Sequence, residues 1–479
     1  MAFVNRKDEL KLLDELLDEP GAQLVLVSGR RRVGKTTLLT RWARRTGLPV
    51  FYWVARRDPR ELLMAGLASA IYGWEMDTDR AIPFRPEDWG QVFQMLAQAL
   101  EDRRAIVILD EIPFAMQSDR GLDTHIQAAW DHLFKDGQSI FFLSGADAGM
   151  MSELIGYHAP LYGRVTSQLP LDPVNFSGVR SFIPRYDVQK RMAVYSMLGG
   201  IPAYLERWRD TESIKRNVSR LFLKRTGWFR SEPLVLISDL TERETTNYEA
   251  ILKAIAGGRH GRDEIAAGAA LPSSSLSHYL PRLEALHLVQ RRLPATVPLD
   301  ERNTSRKSRY YLNDPFLKFY YRFIDPNLHL IEGGLPKRLW TMIEENLRAF
   351  VALEFENVCR EWAVHMSRRN ALPFAPEAIG THWSGEVQVD LVAINWREKQ
   401  VLLGECKWGG RAVPRKVVVE LVEGKTPKLL RELPEQGEGW RVHHVLFARI
   451  GFTSAAEREA EQVGAMLRVL EQVEAELAV

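Results

Sequence analysis

The stretch QLVLVSGRRRVGKTTLLTRWARR, residues 23–45, constrains this chain more than any other segment. An apolar run, Leu24 to Val27, leads into Gly29, four further residues, Gly34, Lys35 and Thr36, and then into apolar residues at helical spacing. The spacing is G-x-x-x-x-G-K-T between a strand and a helix, the setting that turns the string into a mechanism. Gly29 and Gly34 let the backbone fold tightly, so that successive N–H groups face an anion, and the helix beginning near Lys35 adds its positive end. Arg32, Val33 and Thr37 fall in the same cradle. Lys35 is expected to reach the β and γ phosphates of ATP, and the Thr36 hydroxyl to ligate Mg²⁺.

A partner motif follows in RRAIVILDEIPFA. Ile106 to Leu109 read as a strand buried on both faces of a parallel sheet, and the run ends in Asp110 and Glu111. Ligands bind at the carboxyl ends of such strands, so Asp110 is placed to hold the magnesium and Glu111 to polarise an attacking water. A third apolar run, SIFFLSGADAGMM, ends in Ser144, a candidate γ-phosphate sensor. Arg164 in APLYGRV is a candidate transition-state arginine, acting in cis or from a neighbouring subunit of a homo-oligomer.

Together FVNRKDEL, GRRRVGKT, ILDEIPF, FFLSGADAGMM, APLYGRV and MLGGIPAYL resemble the prokaryotic AAA-like and STAND ATPases often called archaeal-type. The resemblance covers about the first 210 residues. It implies a nucleotide clamp in which GGIP, with Gly200 and Pro202, sits on a helical lid against the adenine. It also places Asn5 and Arg6 near the base, where the family more often has Gly-Arg. By itself GGIP is a helix breaker between two apolar helical stretches.

Residues 244–293 read as three amphipathic segments separated by Gly-Gly and by LPSSS, followed by a basic hairpin-like stretch. This pattern resembles a winged helix-turn-helix. Ser273 or Ser274 is expected to cap the third segment. Ser275, Ser277, His278 and Arg282 would then supply polar contacts, and Arg302, Arg306, Lys307 and Arg309 would meet phosphates from the wing. Pro281 interrupts that helix and predicts a kink. Winged helices also dock proteins and cover ATPases. The aromatic run Phe316, Phe319, Tyr320, Tyr321 and Phe323 has helical spacing and reads as core.

Beyond about Leu335 a long helical pattern precedes EVQVDLVAIN and KQVLLGECKW. Val387, Val389 and Leu391 are assigned to one strand face, Gln388 and Asp390 to the other. A turn at REK would make a hairpin in which Ile394 faces Val401 and Asp390 faces Glu405, with Lys407 one step diagonal. Asp-x14-Glu-x-Lys, with Glu356 on the upstream helix, resembles the PD-(D/E)XK nuclease superfamily, and the whole chain resembles the DUF234-type fusion of an archaeal-type ATPase with a nuclease-like tail. The resemblance implies Mg²⁺ or Mn²⁺ held by Asp390, Glu405 and Glu356, with Lys407 as a catalytic cation. The alternative is an edge strand whose Glu and Lys guard against unwanted pairing.

The 479 residues exceed one ordinary core and predict about two to four domains. The expected fold is α/β and multidomain. Residues 1–170 form a P-loop NTPase parallel sheet, 171–235 a helical lid, 236–315 the winged helix, 316–340 a connector, and 341–479 a restriction-endonuclease-like α/β domain. Hydrophobic residues make up 46% and charged residues 26%, as in globular proteins. No apolar run approaches the roughly 20 residues of a membrane span. The opening residues carry charges throughout, and only Cys359 and Cys406 occur, so a cytoplasmic protein without a signal peptide or disulfides is expected. The net charge of +2 identifies no partner, although basic clusters such as GRRRVGK and LKRTGWFR stand out locally. The functional expectation is an ATP-hydrolysing, ATP-regulated DNA-processing protein with a metal-dependent nuclease. The alternative is an ATP-dependent regulatory or scaffolding switch with a silent nuclease fold.

Overall fold

Strands whose residues are all apolar must be covered on both sides, and the amino-terminal sheet is built that way. In the computed structural model, which describes residues 6–78, 85–101, 103–240 and 244–478, five strands form it. They are β1 (Gln23–Ser28), β2 (Val50–Val54), β3 (Ile106–Asp110), β4 (Ile140–Gly145) and β5 (Ser167–Pro170). Their order is β2-β3-β4-β1-β5 and every neighbouring pair is parallel. Val25, Val27, Ile106, Ile108 and Phe142 face one layer, where Leu38, Leu39 and Trp42 of the P-loop helix Lys35–Thr46 pack. Leu24, Leu26, Val107, Leu109 and Phe141 face the other, against helices Arg60–Met76 and Trp89–Ala99. The two-residue alternation thus feeds two cores at once.

The chain divides into two units, Met1–Pro173 and Val174–Val479. In the second unit, helices Thr245–Ala256, Arg262–Ala269 and Leu276–Ala285 precede an antiparallel hairpin of β6 (Val289–Arg292) and β7 (Arg309–Leu312). Phe316, Phe319, Tyr320, Tyr321 and Phe323 are buried in the helical core, as their spacing predicted. The 33-residue helix Pro336–Arg368 runs without a break across residue 341. Its first half (Leu339, Trp340, Ile343) packs into the helical core and its second half (Phe355, Val358, Trp362) onto the carboxyl-terminal sheet.

That sheet has the order β12-β11-β10-β9-β8, from β8 (Ala378–Trp383), β9 (Gln388–Asn395), β10 (Gln400–Lys407), β11 (Arg441–Ala448) and β12 (Met466–Val469). β10 is its centre, antiparallel to β9 and parallel to β11. Glu405 and Lys407 are therefore not on an edge strand.

Three local expectations change. Val389 packs with Val387 in one core layer, but Leu391 packs in the other, because two residues of β9, Asp390 and Leu391, stand opposite the single Thr381 of β8. Such a bulge inserts one residue and flips the alternation beyond it. The third helix of the helical unit starts at Leu276 after Ser275, which makes no side-chain cap, while Ser273 bonds Asp263 at 2.7 Å. The connecting loop of the β6–β7 hairpin also docks on β8. The Ala295 N–H donates to the Thr381 carbonyl at 2.8 Å, Thr296 pairs with His382, and Arg302 turns back onto the Val297 carbonyl.

The GGIP turn has its own packing role. Gly199 ends helix Val188–Leu198 at φ +64, and a Cβ on Gly200 would stand 1.7 Å from the Val174 carbonyl oxygen, while the Val174 N–H donates to the Gly200 carbonyl. Gly200→Ala is expected to lose about 1–3 kcal/mol in urea unfolding. Gly385→Ala, where no atom lies within 4 Å, should stay within about 0.5 kcal/mol of wild type.

Candidate functional site

The P-loop is shaped by residues that tolerate its turns. Gly29 has φ +153, and a Cβ there would lie 2.4 Å from the Leu171 carbonyl oxygen. Gly34 has φ +103 and caps the P-loop helix, and Arg32 between them is also left-handed at φ 68. Val33 is buried and anchors the loop. Arg6 is buried as well, its guanidinium donating to the Val33 carbonyl at 3.1 Å and the Asp172 carbonyl at 2.7 Å. Its observed role is to fasten the loop. Asn5 lies outside the described residues.

The catalytic candidates meet where β1, β3 and β4 end. Thr36, exposed like Thr37, donates its hydroxyl to Asp110 Oδ2 at 2.5 Å. Lys35 Nζ lies on the Gly29 carbonyl at 2.7 Å. Burial pulls Lys35 below the ordinary lysine range, and Glu111 and Asp110 pull it back up. Burial pushes Glu111 up, opposed by Lys35 and reinforced by Asp110. Glu111 itself sits at φ 55, ψ 38, a left-handed conformation that a non-glycine residue holds only when its surroundings dictate it. Ser144 is fully buried on β4, opposite Val27, and its hydroxyl has no hydrogen-bond partner among the described residues.

One residue of this cluster escaped the sequence reading. Tyr52 of β2 donates to Asp110 Oδ2 at 3.3 Å, and burial together with the Asp110 charge pushes it up to about 12. Its only sequence signal was its place in a strand, two positions before the last residue. Arg164 is committed elsewhere. Its Nε and Nη2 clasp Asp131 at 2.9 and 2.7 Å, and Nη1 reaches the Pro160 carbonyl. Gly200 and Pro202 belong to the second unit.

In the second unit the β9–β10 ladder holds Ile394 against Val401 and runs to Leu391 opposite Gly404. Beyond that point Asp390 Oδ2 accepts the Cys406 N–H at 3.0 Å. Glu405, 5% exposed, gives one carboxylate oxygen to Lys407 at 2.5 Å and the other to Lys425 at 2.7 Å. Lys425, on the helical turn Glu420–Lys425, was not anticipated, because nothing in its own neighbourhood marks it. Burial, then the nearby Glu405, pushes Asp390 up. Burial and Asp390 push Glu356 up to about 7.

The donor chemistry at the two sites differs. At the P-loop a hydroxyl and a carboxylate touch, hard oxygens that suit Mg²⁺. In the second unit Asp390 and Glu405 offer the same oxygen chemistry, but both Glu405 oxygens are covered by ammonium groups. Among the described residues no three His, Cys, Asp or Glu side chains gather as a metal site, so Glu356 does not complete one.

Comparison with known proteins places this arrangement. The chain is 30% identical over 414 residues to the uncharacterized protein MJECL04 of Methanocaldococcus jannaschii, covering 85% of this chain and 87% of the relative. The two belong to one family. Within it, residues 3–208 match the ATPase domain predominantly from Archaea, so the amino-terminal part is an archaeal-type P-loop ATPase domain that binds ATP. Residues 320–417 match a family described as Archaea bacterial proteins of unknown function, DUF234. A 40-residue segment is 50% identical to the uncharacterized ATP-binding protein MJ0423 of the same organism, covering 8% of this chain and 68% of that one. The Walker-type ATPase PABY2304 of Pyrococcus abyssi shares the fold, with a TM-score of 0.50 and 20% identity over 67% of this chain and 96% of that chain. No helix among the described residues is long and apolar enough to cross a membrane.

Either lysine can neutralise Glu405, so Lys407→Met or Lys425→Met alone should cost about 1 kcal/mol or less. The double variant should lose more than the sum, because it leaves a buried carboxylate bare. A double-mutant cycle by chemical denaturation measures the coupling, and strict additivity would refute shared neutralisation.

Proposed function

We propose that this protein is an ATP-hydrolysing switch that governs a nucleic-acid-processing carboxyl-terminal unit. The observation that carries the ATPase half is the 2.5 Å contact of Thr36 with Asp110, made beside Lys35 and Glu111 at the ends of adjoining parallel strands. Thr36 and Asp110 would hold Mg²⁺, which when bound offsets charge on the β and γ phosphates. Lys35 leaves the Gly29 carbonyl for the phosphates, and Glu111 orients the attacking water. Ser144, buried and unpartnered, is suited to sense the γ phosphate. Tyr52 holds the Asp110 carboxylate in place.

In this reading the three helices and the β6–β7 hairpin are a winged helix, and the carboxyl-terminal sheet is a nuclease-like fold acting on DNA. The support is the Asp390, Glu405 and Lys407 constellation at the point where β9 and β10 separate. Asp390 and Glu405 would hold the divalent ion, and Lys407 would neutralise charge on the phosphate being cut. Arg164 contributes to hydrolysis only if it releases Asp131.

A specific observation favours a second reading, in which the carboxyl-terminal unit binds nucleic acid without cutting it. Glu405 already has two cationic partners, and among the described residues no three carboxylates gather as a metal site.

Two experiments decide. Lys35→Ala and Glu111→Gln should each lower ATP turnover by about 100-fold or more, with Glu111→Gln retaining nucleotide binding. Unchanged hydrolysis in Lys35→Ala would overturn the P-loop assignment. Cleavage of single-stranded, duplex and branched DNA or RNA with Mg²⁺ or Mn²⁺ and ATP, lost in Asp390→Ala and Lys407→Ala, is the outcome expected of a working nuclease. Binding without cleavage selects the second reading.

A further inference from the structure

Beside Asp390 lies a cavity of about 310 Å³ in the second unit, lined by the β6–β7 hairpin, helix Pro336–Arg368, strands β8 and β9, the end of helix Thr245–Ala256 and the helical segment carrying Lys318 and Arg322. Its charged lining is lopsided. Lys318 is matched by Glu354 at 2.8 Å, but Arg292, Arg309, Arg322 and Arg360 make no ion pair among the described residues. Against these four guanidinium groups the described lining sets Glu356 and Asp390, a formal surplus of two positive charges with both carboxyls counted as ionised. Burial lowers His260 and His382 from the usual histidine range, against a positive charge on either.

Two of the arginines are forced together. Arg292 of β6 donates to Asn357 Oδ1 at 3.1 Å, and Arg360, one helical turn beyond Asn357, donates to the same oxygen. Like charges converging in a largely buried place are unfavourable unless an anion joins them. Burial first, and then Arg360, pulls Arg292 down to about 10. Arg309 lies over the Trp383 ring at 5.0 Å and Arg322 near the Phe350 ring at 5.9 Å, both exposed at the cavity mouth. Guanidinium forks are the groups that bind phosphate oxygens in pairs. Ile255, Leu312, Phe350 and Leu353 give the wall an apolar part, beside the polar Thr381 and Gln388.

We propose that this cavity binds a nucleotide through its phosphomonoester group, seated on Arg292 and Arg360 and completed by Arg322 of the same lining, as carried by a free mononucleotide or by the phosphorylated end of a single strand. A terminal phosphate bears about −1.5 to −2 charges, the complement of the surplus. The volume is at the small end of ligand pockets, about 300–1,000 Å³, and excludes a duplex. The hairpin, docked on β8 through the Ala295 N–H, is thereby a wall of a binding site instead of a free wing. The assignment deepens the nucleic-acid reading above by naming the end group recognised, and it holds whether or not Asp390 supports cleavage.

The test is binding by the full chain in EDTA, where no cut occurs, so a failed cleavage assay and a failed binding assay remain separate results. Fluorescence anisotropy would compare a short single-stranded DNA bearing a 5′ phosphate with its 5′-hydroxyl form and with deoxycytidine monophosphate as competitor. The phosphorylated strand should bind about tenfold or more tightly, and Arg322→Met and Arg292→Met should erase the difference. Arg322 is exposed, so its variant is not compromised by misfolding, and thermal melting verifies Arg292→Met. Competition by the monophosphate at equal concentration identifies a free nucleotide as the ligand, and weak competition identifies a strand end. Equal affinity for the two strand forms, or an unchanged preference in Arg322→Met, overturns the proposal. So does loss of the preference in Lys35→Ala, which would place the phosphate at the P-loop.

Discussion

A strand covered on both faces has room for a polar side chain almost only where it ends. That constraint organises both units of this protein. β3 is apolar until Asp110, β4 until Ser144, and β10, after Gln400 at its start, until Glu405. In the first sheet, parallel pairing brings the ends of β1, β3 and β4 to one edge, because parallel strands keep their register. The P-loop, the magnesium candidate and the sensor candidate are neighbours for that reason, although they are scattered over more than a hundred residues.

Burial then sets the electrostatics. Lys35, Asp110 and Glu111 occupy a small desolvated volume, where burial moves the lysine down and Glu111 up while their mutual attraction opposes both shifts. Glu405 represents the opposite solution, a buried carboxylate already neutralised by Lys407 and Lys425. Arg292 and Arg360 represent a third, two like charges converging on the Asn357 side-chain oxygen.

The β9 bulge links fold to site. Without it Asp390 and Leu391 would alternate faces. With it, Leu391 joins the layer beneath helix Pro336–Arg368 while Asp390 turns to the Cys406 amide. β9 and β10 part at this residue, and the cavity lined by Asp390 opens there.

Much of this was legible in sequence because it is local. G-x-x-x-x-G-K-T, the apolar runs, the Ile394 and Val401 hairpin pairing and the aromatic core all follow from spacing along one segment. The bulge, the Ser275 helix start, the clasp of Asp131 on Arg164, and the approach of Tyr52 to Asp110 and of Lys425 to Glu405 were not legible. Each depends on which distant backbone lies opposite, and periodicity carries no information about that. The sequence by itself determined that a phosphate-binding loop precedes an acidic strand end and that Glu405 and Lys407 share a strand face. Only the tertiary structure decided that β10 is central and that a hairpin closes a cationic cavity over Asp390, because strand order and domain packing are settled by contacts between residues far apart in the chain.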